Sequence, residues 1–341
     1  MPLRAVGSAV PSVRHDAADI AAATGAEEAF IRDKVGVGTR YVLGPGETGV
    51  GLSAAACEAL FAKSGLTAEA VDLIVFVTQT PDRRIPHNAP ALAAAIGARE
   101  GCASFDVSLG CSGFVYGLSV VEAMIAAQGF ENALLVTCDP YSRIMAAEDK
   151  ATNAVFGDAA AACWIAADGP GARLSALDFG TDGAKGDAIR IDAGGAARPL
   201  VDLSRAEGAD EPGRDALRLH MAGRDVFNFV NLKIPGSIAA TLEKAGLKAG
   251  DVDAYALHQG SAYMLQALAK RAGLPSEKVA MNIGRYGNTV SSTIPLLLEE
   301  MIDAGPMAGR RVVISGFGVG LSWATGLLTF DEEFRSEGPK E

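Results

Sequence analysis

The sequence predicts an α/β layered fold made of two copies of one strand–helix plan. Three observations carry that prediction. Short apolar runs alternate with helix-period stretches along the 341 residues, the pattern of strands covered by helices. The segments Lys63-Ser-Gly-Leu-Thr-Ala-Glu-Ala-Val-Asp72 and Lys244-Ala-Gly-Leu-Lys-Ala-Gly-Asp-Val-Asp253 share six of ten residues at an offset of 181. Residues 106–116 and 282–296 then repeat a strand end, a tight turn and a helix at an offset of 177. Two matched pairs in the same order read as an internal duplication.

Each element has a local reason. Residues 73–77 (Leu-Ile-Val-Phe-Val) form a continuous apolar run, as a strand buried on both faces requires, and 133–136 and 311–315 read the same way. Residues 53–64 and 261–272 carry helical patterns. Gly65 and Gly246 follow the repeated helices at the position that favours a left-handed cap. Trp164 and Trp323 close the two halves in similar apolar contexts. The halves are expected at about 1–168, carrying Cys111, and 169–341, carrying His258 and Asn288. Residues 182–219 have no counterpart in the first half and are rich in Gly, Ala, Asp and Arg, so they read as an inserted loop or cap.

Composition excludes several classes. Apolar residues make up 49% of the chain, too many for a disordered protein. Thirty Lys and Arg against 41 Asp and Glu leave a net charge of −11, which argues against a nucleic-acid partner. No apolar run is long enough for a membrane span. The start MPLRAVGSAVPSVRHD is interrupted by Pro11 and Arg14, unlike a secretion signal, so a cytoplasmic protein is expected. Five cysteines without a CxxC pair argue against a disulfide framework or a zinc site. Cys57, Cys102, Cys138 and Cys163 read as small buried hydrophobes.

Cys111 is different. It lies in Phe105-Asp-Val-Ser-Leu-Gly-Cys-Ser-Gly-Phe114, a strand end followed by a glycine-flanked turn and a helix. A helix N-terminus favours a thiolate, so Cys111 is a candidate nucleophile. His258 ends the apolar stretch Asp253-Ala-Tyr-Ala-Leu-His258. Strand C-termini are where α/β proteins place reactive side chains. Asn288, in Arg285-Tyr-Gly-Asn-Thr289, stands opposite Cys111 in the repeat. The glycine-rich run Gly316-Phe-Gly-Val-Gly-Leu-Ser-Trp323 lacks a GK[ST] element. Its better use is a backbone N–H aimed at a developing oxyanion, at Gly318 and at Cys111 itself.

Together, Gly-Cys111-Ser-Gly-Phe, Phe156-Gly-Asp-Ala-Ala, His258-Gln, Tyr-Gly-Asn288-Thr and Gly316-Phe-Gly-Val-Gly-Leu-Ser-Trp resemble the β-ketoacyl-[acyl-carrier-protein] synthase III group of the thiolase superfamily. The resemblance runs through nearly the whole chain. It implies a duplicated thiolase-like fold in five αβαβα layers and a homodimer. It implies an acyltransferase in which acyl-CoA acylates Cys111. A malonyl thioester, on CoA or acyl carrier protein, then condenses with loss of carbon dioxide, in fatty acid biosynthesis. Cys111, kept ionised at its helix N-terminus, would be the nucleophile, and neutral His258 with Asn288 would hold the malonyl carbonyl. No metal and no cofactor is implied beyond these substrates. Phe30 and Lys150 match the positions that hold the CoA adenine, where the family usually has Trp and Arg. Phe156, Phe227 and Ser261 are further substrate-binding candidates. Ile85, before Pro86, matches the residue that caps the partner subunit's acyl pocket, and Arg83 or Arg84 could meet a carboxylate on the acyl chain. His258-Gln-Gly-Ser261 lacks the family's Asn and the following Arg that contacts the carrier protein. That change keeps open a non-decarboxylating acyltransferase or a specialised-pathway synthase (biotin precursor, polysaccharide or secondary metabolite). A silent partner subunit would not need Cys111.

Overall fold

The computed structural model describes residues 1–200 and 215–334. Among these, nine strands form one mixed sheet: β1 (Pro2–Ala9), β2 (Leu73–Val77), β3 (Ala103–Val107), β4 (Asn132–Cys138), β5 (Ala160–Ala166), β6 (Ala172–Thr181), β7 (Ala254–Leu257), β8 (Arg311–Gly318) and β9 (Ser322–Phe330). The order across the sheet is β3-β2-β4-β5-β1-β6-β9-β8-β7. It mirrors about the β1–β6 seam, where Pro2 pairs with Arg173 and Leu3 with Ala172. Thus β2 answers to β7, β4 to β8, β5 to β9 and β1 to β6. The counterpart of β3 is reduced to one parallel bridge, Tyr255 with Val279.

The described residues hold seven helices of eight residues or more: α1 (Ala17–Thr24), α2 (Gly49–Ser64), α3 (Asn88–Ile96), α4 (Gly113–Gln128), α5 (Gly223–Lys244), α6 (Ala262–Ala272) and α7 (Thr293–Ala304). Helices α4 and α7 touch strands of both halves, so the halves face each other across this central pair. The outer faces are covered by α2 and α3 on one side and by α5 and α6 on the other. The result is the five-layered helix–sheet–helix–sheet–helix plan. Its central layer is dry: Phe114, Leu118, Val121 and Ile125 of α4 join Ile294, Leu297 and Leu298 of α7 in one buried cluster.

The repeated segments do the same job twice. Gly65 and Gly246 both take a left-handed conformation, at φ +70° and +67°. A short helical turn follows each, Ala68–Ala70 and Ala249–Asp251, and then the buried strands β2 and β7. The five residues of β2 are all buried between helices on its two faces, which is why the run carries no polar alternation.

Three expectations on elements need correction. Trp164 and Trp323 are not equivalent. Trp164 pairs with Leu134 and Trp323 with Phe317, and in the aligned registers the counterpart of Trp164 is Leu327. Helix α2 begins at Gly49, not at residue 53, because the Thr48 hydroxyl caps it by accepting from the Gly51 N–H at 3.0 Å. Strand β8 runs on to Gly318, so the glycines after residue 315 belong to the sheet as well as to the turn. Of the stretch 182–219, residues 201–214 lie outside the described residues. The remainder includes Ile189–Arg190, which pairs with His220–Met221.

Candidate active site

Cys111 sits in the turn between β3 and α4. The Gly113 N–H donates to the Gly110 carbonyl at 2.7 Å, which closes the turn, and Ser112 is the residue before the helix. Strand β8 crosses directly over it. A Cβ on Gly318 would lie 2.7 Å from Cys111 Sγ, so only glycine lets β8 approach this closely. The N–H groups directed at the sulfur are those of Cys111 itself and of Val319. Val319 is one residue beyond the predicted Gly318. Gly318 pairs with Ser322 in the sheet, and successive N–H groups of an extended chain point to opposite sides.

His258 follows β7 and is buried. Its Nδ1 lies 2.8 Å from Thr293 Oγ1 at the start of α7, and Phe317 meets the ring edge-on at 5.5 Å. Burial lowers its pKa from 6.5 to about 3, so the imidazole is neutral at pH 7. The Thr293 hydroxyl can accept from Nδ1–H or donate to a bare Nδ1, so it serves either tautomer.

Asn288 is held by its backbone between the two halves of the chain. Its N–H donates to the Val155 carbonyl at 2.9 Å, and its carbonyl accepts from the Gly157 N–H at 3.0 Å. Gly287, at φ +69°, precedes it where a Cβ would come within 2.9 Å of the Val155 carbonyl. The Asn288 Oδ1 accepts from the Val290 N–H at 2.9 Å, which leaves Nδ2 to donate. Val290 itself has φ +54°, an unfavourable value for a β-branched residue. Buried Asp139 accepts from the Ser291 hydroxyl and backbone N–H and helps to hold this turn.

Cys111, His258, Asn288, Phe317 and Gly318 line the buried part of one cavity of about 670 Å³. Phe30, Lys150, Phe156, Phe227 and Ser261 line it as well. Phe30 is 45% exposed and Lys150 is exposed, which marks the open end. The Ser261 hydroxyl caps α6 by accepting from the Met264 N–H at 3.1 Å, so its wall position also carries a helix start. Arg40, buried, binds the Phe156 carbonyl at 2.7 Å and the Asn153 side chain at 2.6 Å, which fixes the wall segment.

One expectation fails in this chain. Burial pushes the Cys111 thiol up to about 12, so the resting group is a thiol and not a thiolate. A helix N-terminus contributes up to ~2 kcal/mol, or about 1.5 pH units, which is smaller than that rise. Ile85, expected at a partner subunit's pocket, is 89% exposed and lines no part of this chain's own cavity. Arg83 and Arg84 are likewise outside it, with Arg83 in a surface groove beside Asp82 and His87. Sequence reasoning missed Lys34, which lines the cavity mouth four residues after Phe30, a spacing that places both on one helical face. Thr293 and Phe317 carried no local mark, because their parts depend on where His258 lands.

The comparisons agree with this geometry. The family model for 3-oxoacyl-[acyl-carrier-protein] synthase III matches residues 105–183, and the model for its C-terminal part matches 242–330. The β-ketoacyl-[acyl-carrier-protein] synthase III of Roseiflexus castenholzii is 33% identical over 94% of this chain and 96% of the relative. That of Acidiphilium cryptum is 34% identical over 96% and 98%. A crystal structure of a 3-oxoacyl-(acyl-carrier-protein) synthase III superposes with a TM-score of 0.90 at 33% identity, covering 96% of this chain and 99% of that one. The Pseudomonas aeruginosa enzyme gives 0.85 at 32%, covering 97% and 98%. With its fold, its cavity and these relatives in agreement, the chain belongs to the β-ketoacyl-[acyl-carrier-protein] synthase III family of condensing acyltransferases.

Proposed function

We propose that this chain condenses a CoA-borne acyl primer with a malonyl thioester, using Cys111, His258 and Asn288. The observation that carries the reading is the convergence of these three side chains at the buried end of one cavity whose open end is cationic and aromatic. Lys34, Lys150 and Phe30 suit an anionic nucleotide with an aromatic base, and the apolar walls suit an extended thioester arm.

In the first half-reaction Cys111 Sγ attacks the acyl thioester carbonyl. The thiol proton leaves by way of the His258 imidazole and ends on the departing CoA sulfur, so no charge accumulates. The N–H groups of Cys111 and Val319 donate to the tetrahedral oxyanion. In the second half-reaction Asn288 Nδ2 and His258 Nε2–H donate to the malonyl thioester carbonyl. Carbon dioxide leaves, its bonding electrons become the enolate, that carbanion displaces Cys111 Sγ from the acyl carbonyl, and the released thiolate takes a proton from water to return to the resting thiol. A depressed His258 pKa supports this part, because the ring remains a neutral donor.

The full Cys/His/Asn set supports decarboxylative condensation over simple transfer to oxygen or nitrogen, which needs no decarboxylation site. Malonyl-acyl carrier protein is the expected donor. A homodimer would bring exposed Ile85 to the partner's acyl pocket. Among the described residues no helix is long and apolar enough to cross a membrane.

The experiment is intact mass after mixing with acyl-CoAs, with Cys111→Ala as control, followed by malonyl-CoA or malonyl-acyl carrier protein. One acyl group gained by the wild type alone, then lost with release of carbon dioxide and a β-ketoacyl product, is expected. Acylation without condensation on either donor would return the acyltransferase reading.

A further inference from the structure

We propose that Asp139, acting through Ser291, sets the direction of the Asn288 amide and is thereby a positioning residue for the decarboxylating half-reaction. The proposal rests on the reading of Asn288 as a donor to the malonyl carbonyl. Asp139 follows β4 and is fully buried. Burial raises its carboxyl to about 6, so at pH 7.5 the group is ionised and can only accept. Four neutral donors meet it. At Oδ1 these are the Gln79 N–H at 2.7 Å and, more weakly, the Thr78 hydroxyl at 3.5 Å, both from the segment after β2. At Oδ2 they are the Ser291 hydroxyl and the Ser291 N–H, the latter at 3.4 Å. A buried carboxylate held by neutral donors is costly to keep, and this one ties the end of β2 to the turn before α7.

That turn decides what Asn288 presents to substrate. The bonds to Val155 and Gly157 fix its main chain and leave the amide free to turn. The amide is oriented by the Val290 N–H, which donates to Oδ1 at 2.9 Å. The reverse orientation would set Nδ2 against that N–H, two donors face to face, and would aim Oδ1 at the substrate. An acceptor there would repel the malonyl carbonyl oxygen that a donor has to meet. Val290 holds its N–H in place at φ +54°, a value that a β-branched residue leaves unless its neighbours are anchored. Ser291 is the next residue, and Asp139 grips it at two points. The line of action therefore runs from Asp139 through Ser291 and the Val290 N–H to the Asn288 amide.

Acylation of Cys111 does not use Asn288. The two half-reactions thus separate this role from a general part in the fold, which would slow both.

The test measures two rates at pH 7.5 in wild type, Ser291→Ala and Asp139→Asn. The first is mass gain at Cys111 with acetyl-, butyryl- and octanoyl-CoA. The second is release of labelled carbon dioxide by the acylated protein from malonyl-CoA and from malonyl-acyl carrier protein. Ser291→Ala should keep acylation within about twofold and lower carbon dioxide release about fivefold. Asp139→Asn, whose amide cannot accept at both positions, should lower that release about tenfold or more. It also removes a charge that, after burial, raises the Cys111 thiol, so acylation should not slow. Ser291→Ala carries the comparison where Asp139→Asn does not fold. Carbon dioxide release that is unchanged in the folded variants, or reduced no more than acylation, overturns the proposal while the roles of Cys111 and Asn288 stand. A wild type that acylates and releases no carbon dioxide from either donor overturns it together with the reading beneath it.

Discussion

The Nδ1 of His258 and the Oγ1 of Thr293 lie 2.8 Å apart in the buried layer between the two halves of the sheet. The same Oγ1 lies 3.1 Å from the Val290 carbonyl, and its single proton goes to that carbonyl when Nδ1 carries hydrogen and to Nδ1 when Nε2 carries it. One hydroxyl thus fixes the ring plane and leaves Nε2 as the nitrogen able to meet substrate. Thr293→Val should leave Nδ1 without a partner, at a cost of about 1–3 kcal/mol. Condensation should fall roughly tenfold or more, since ~1.4 kcal/mol is one decade in rate. Thr293→Ser should recover most of the loss. A Ser variant no better than Val would show that the methyl packing, not the hydroxyl, is what counts.

The Cys111 thiol should behave as a weak acid. With its pKa pushed up to about 12 by burial, the thiolate fraction grows about tenfold per pH unit throughout the neutral range. Iodoacetamide inactivation of the free protein should rise on that slope through pH 9. A plateau below pH 8 would mean that the helix start and the Val319 N–H outweigh burial.

His258 makes a stability prediction whose sign follows from its lowered pKa of about 3. The unfolded chain takes up a proton near pH 6.5 and the folded one does not. The stability tied to the neutral ring is therefore complete above pH 6.5 and is lost as the pH falls toward 3. Buried Asp139, raised to about 6, acts in the opposite sense between pH 6 and the ordinary carboxylate value of 3.8, so wild type alone would mask the effect. Comparing wild type with His258→Gln by urea unfolding isolates it. The difference should change by about 2 kcal/mol between pH 7.5 and 5. A constant difference would place the titration elsewhere.

Gly318→Ala should abolish acylation of Cys111 in a folded protein. The new Cβ would stand 2.7 Å from Sγ and 2.8 Å from Cys111 Cβ, so the β8 end or the nucleophile turn has to move. Normal acylation with an unchanged melting temperature would show that the turn yields cheaply.

Lys34 and Lys150 are exposed at the cavity mouth. Each change to Ala should raise the KM for acyl-CoA by about two- to fivefold with kcat unchanged, in keeping with an exposed ion pair. The effect should fade as salt increases. A kcat loss at constant KM would place these lysines in a later step.

Much of this arrangement was legible in one dimension because it is local. The Gly-Cys111-Ser-Gly turn, the strand that ends at His258 and the left-handed Gly65 and Gly246 depend on a few neighbouring residues. The repeat adds the placement of Asn288 opposite Cys111. What remained hidden depends on segments far apart in the chain. Whether Cys111 is a thiol or a thiolate is decided by β8 packing over it and by the burial that results. The choice of Val319 over Gly318 is set by the sheet register, as is the mismatch of Trp164 and Trp323. The partner of His258 is one hydroxyl among several in Ser291-Ser-Thr293, and no local pattern distinguishes them. Short-range backbone preference and apolar periodicity are properties of the sequence itself. Burial, and with it proton affinity and the closed end of a cavity, exists only once distant segments exclude water from the same place.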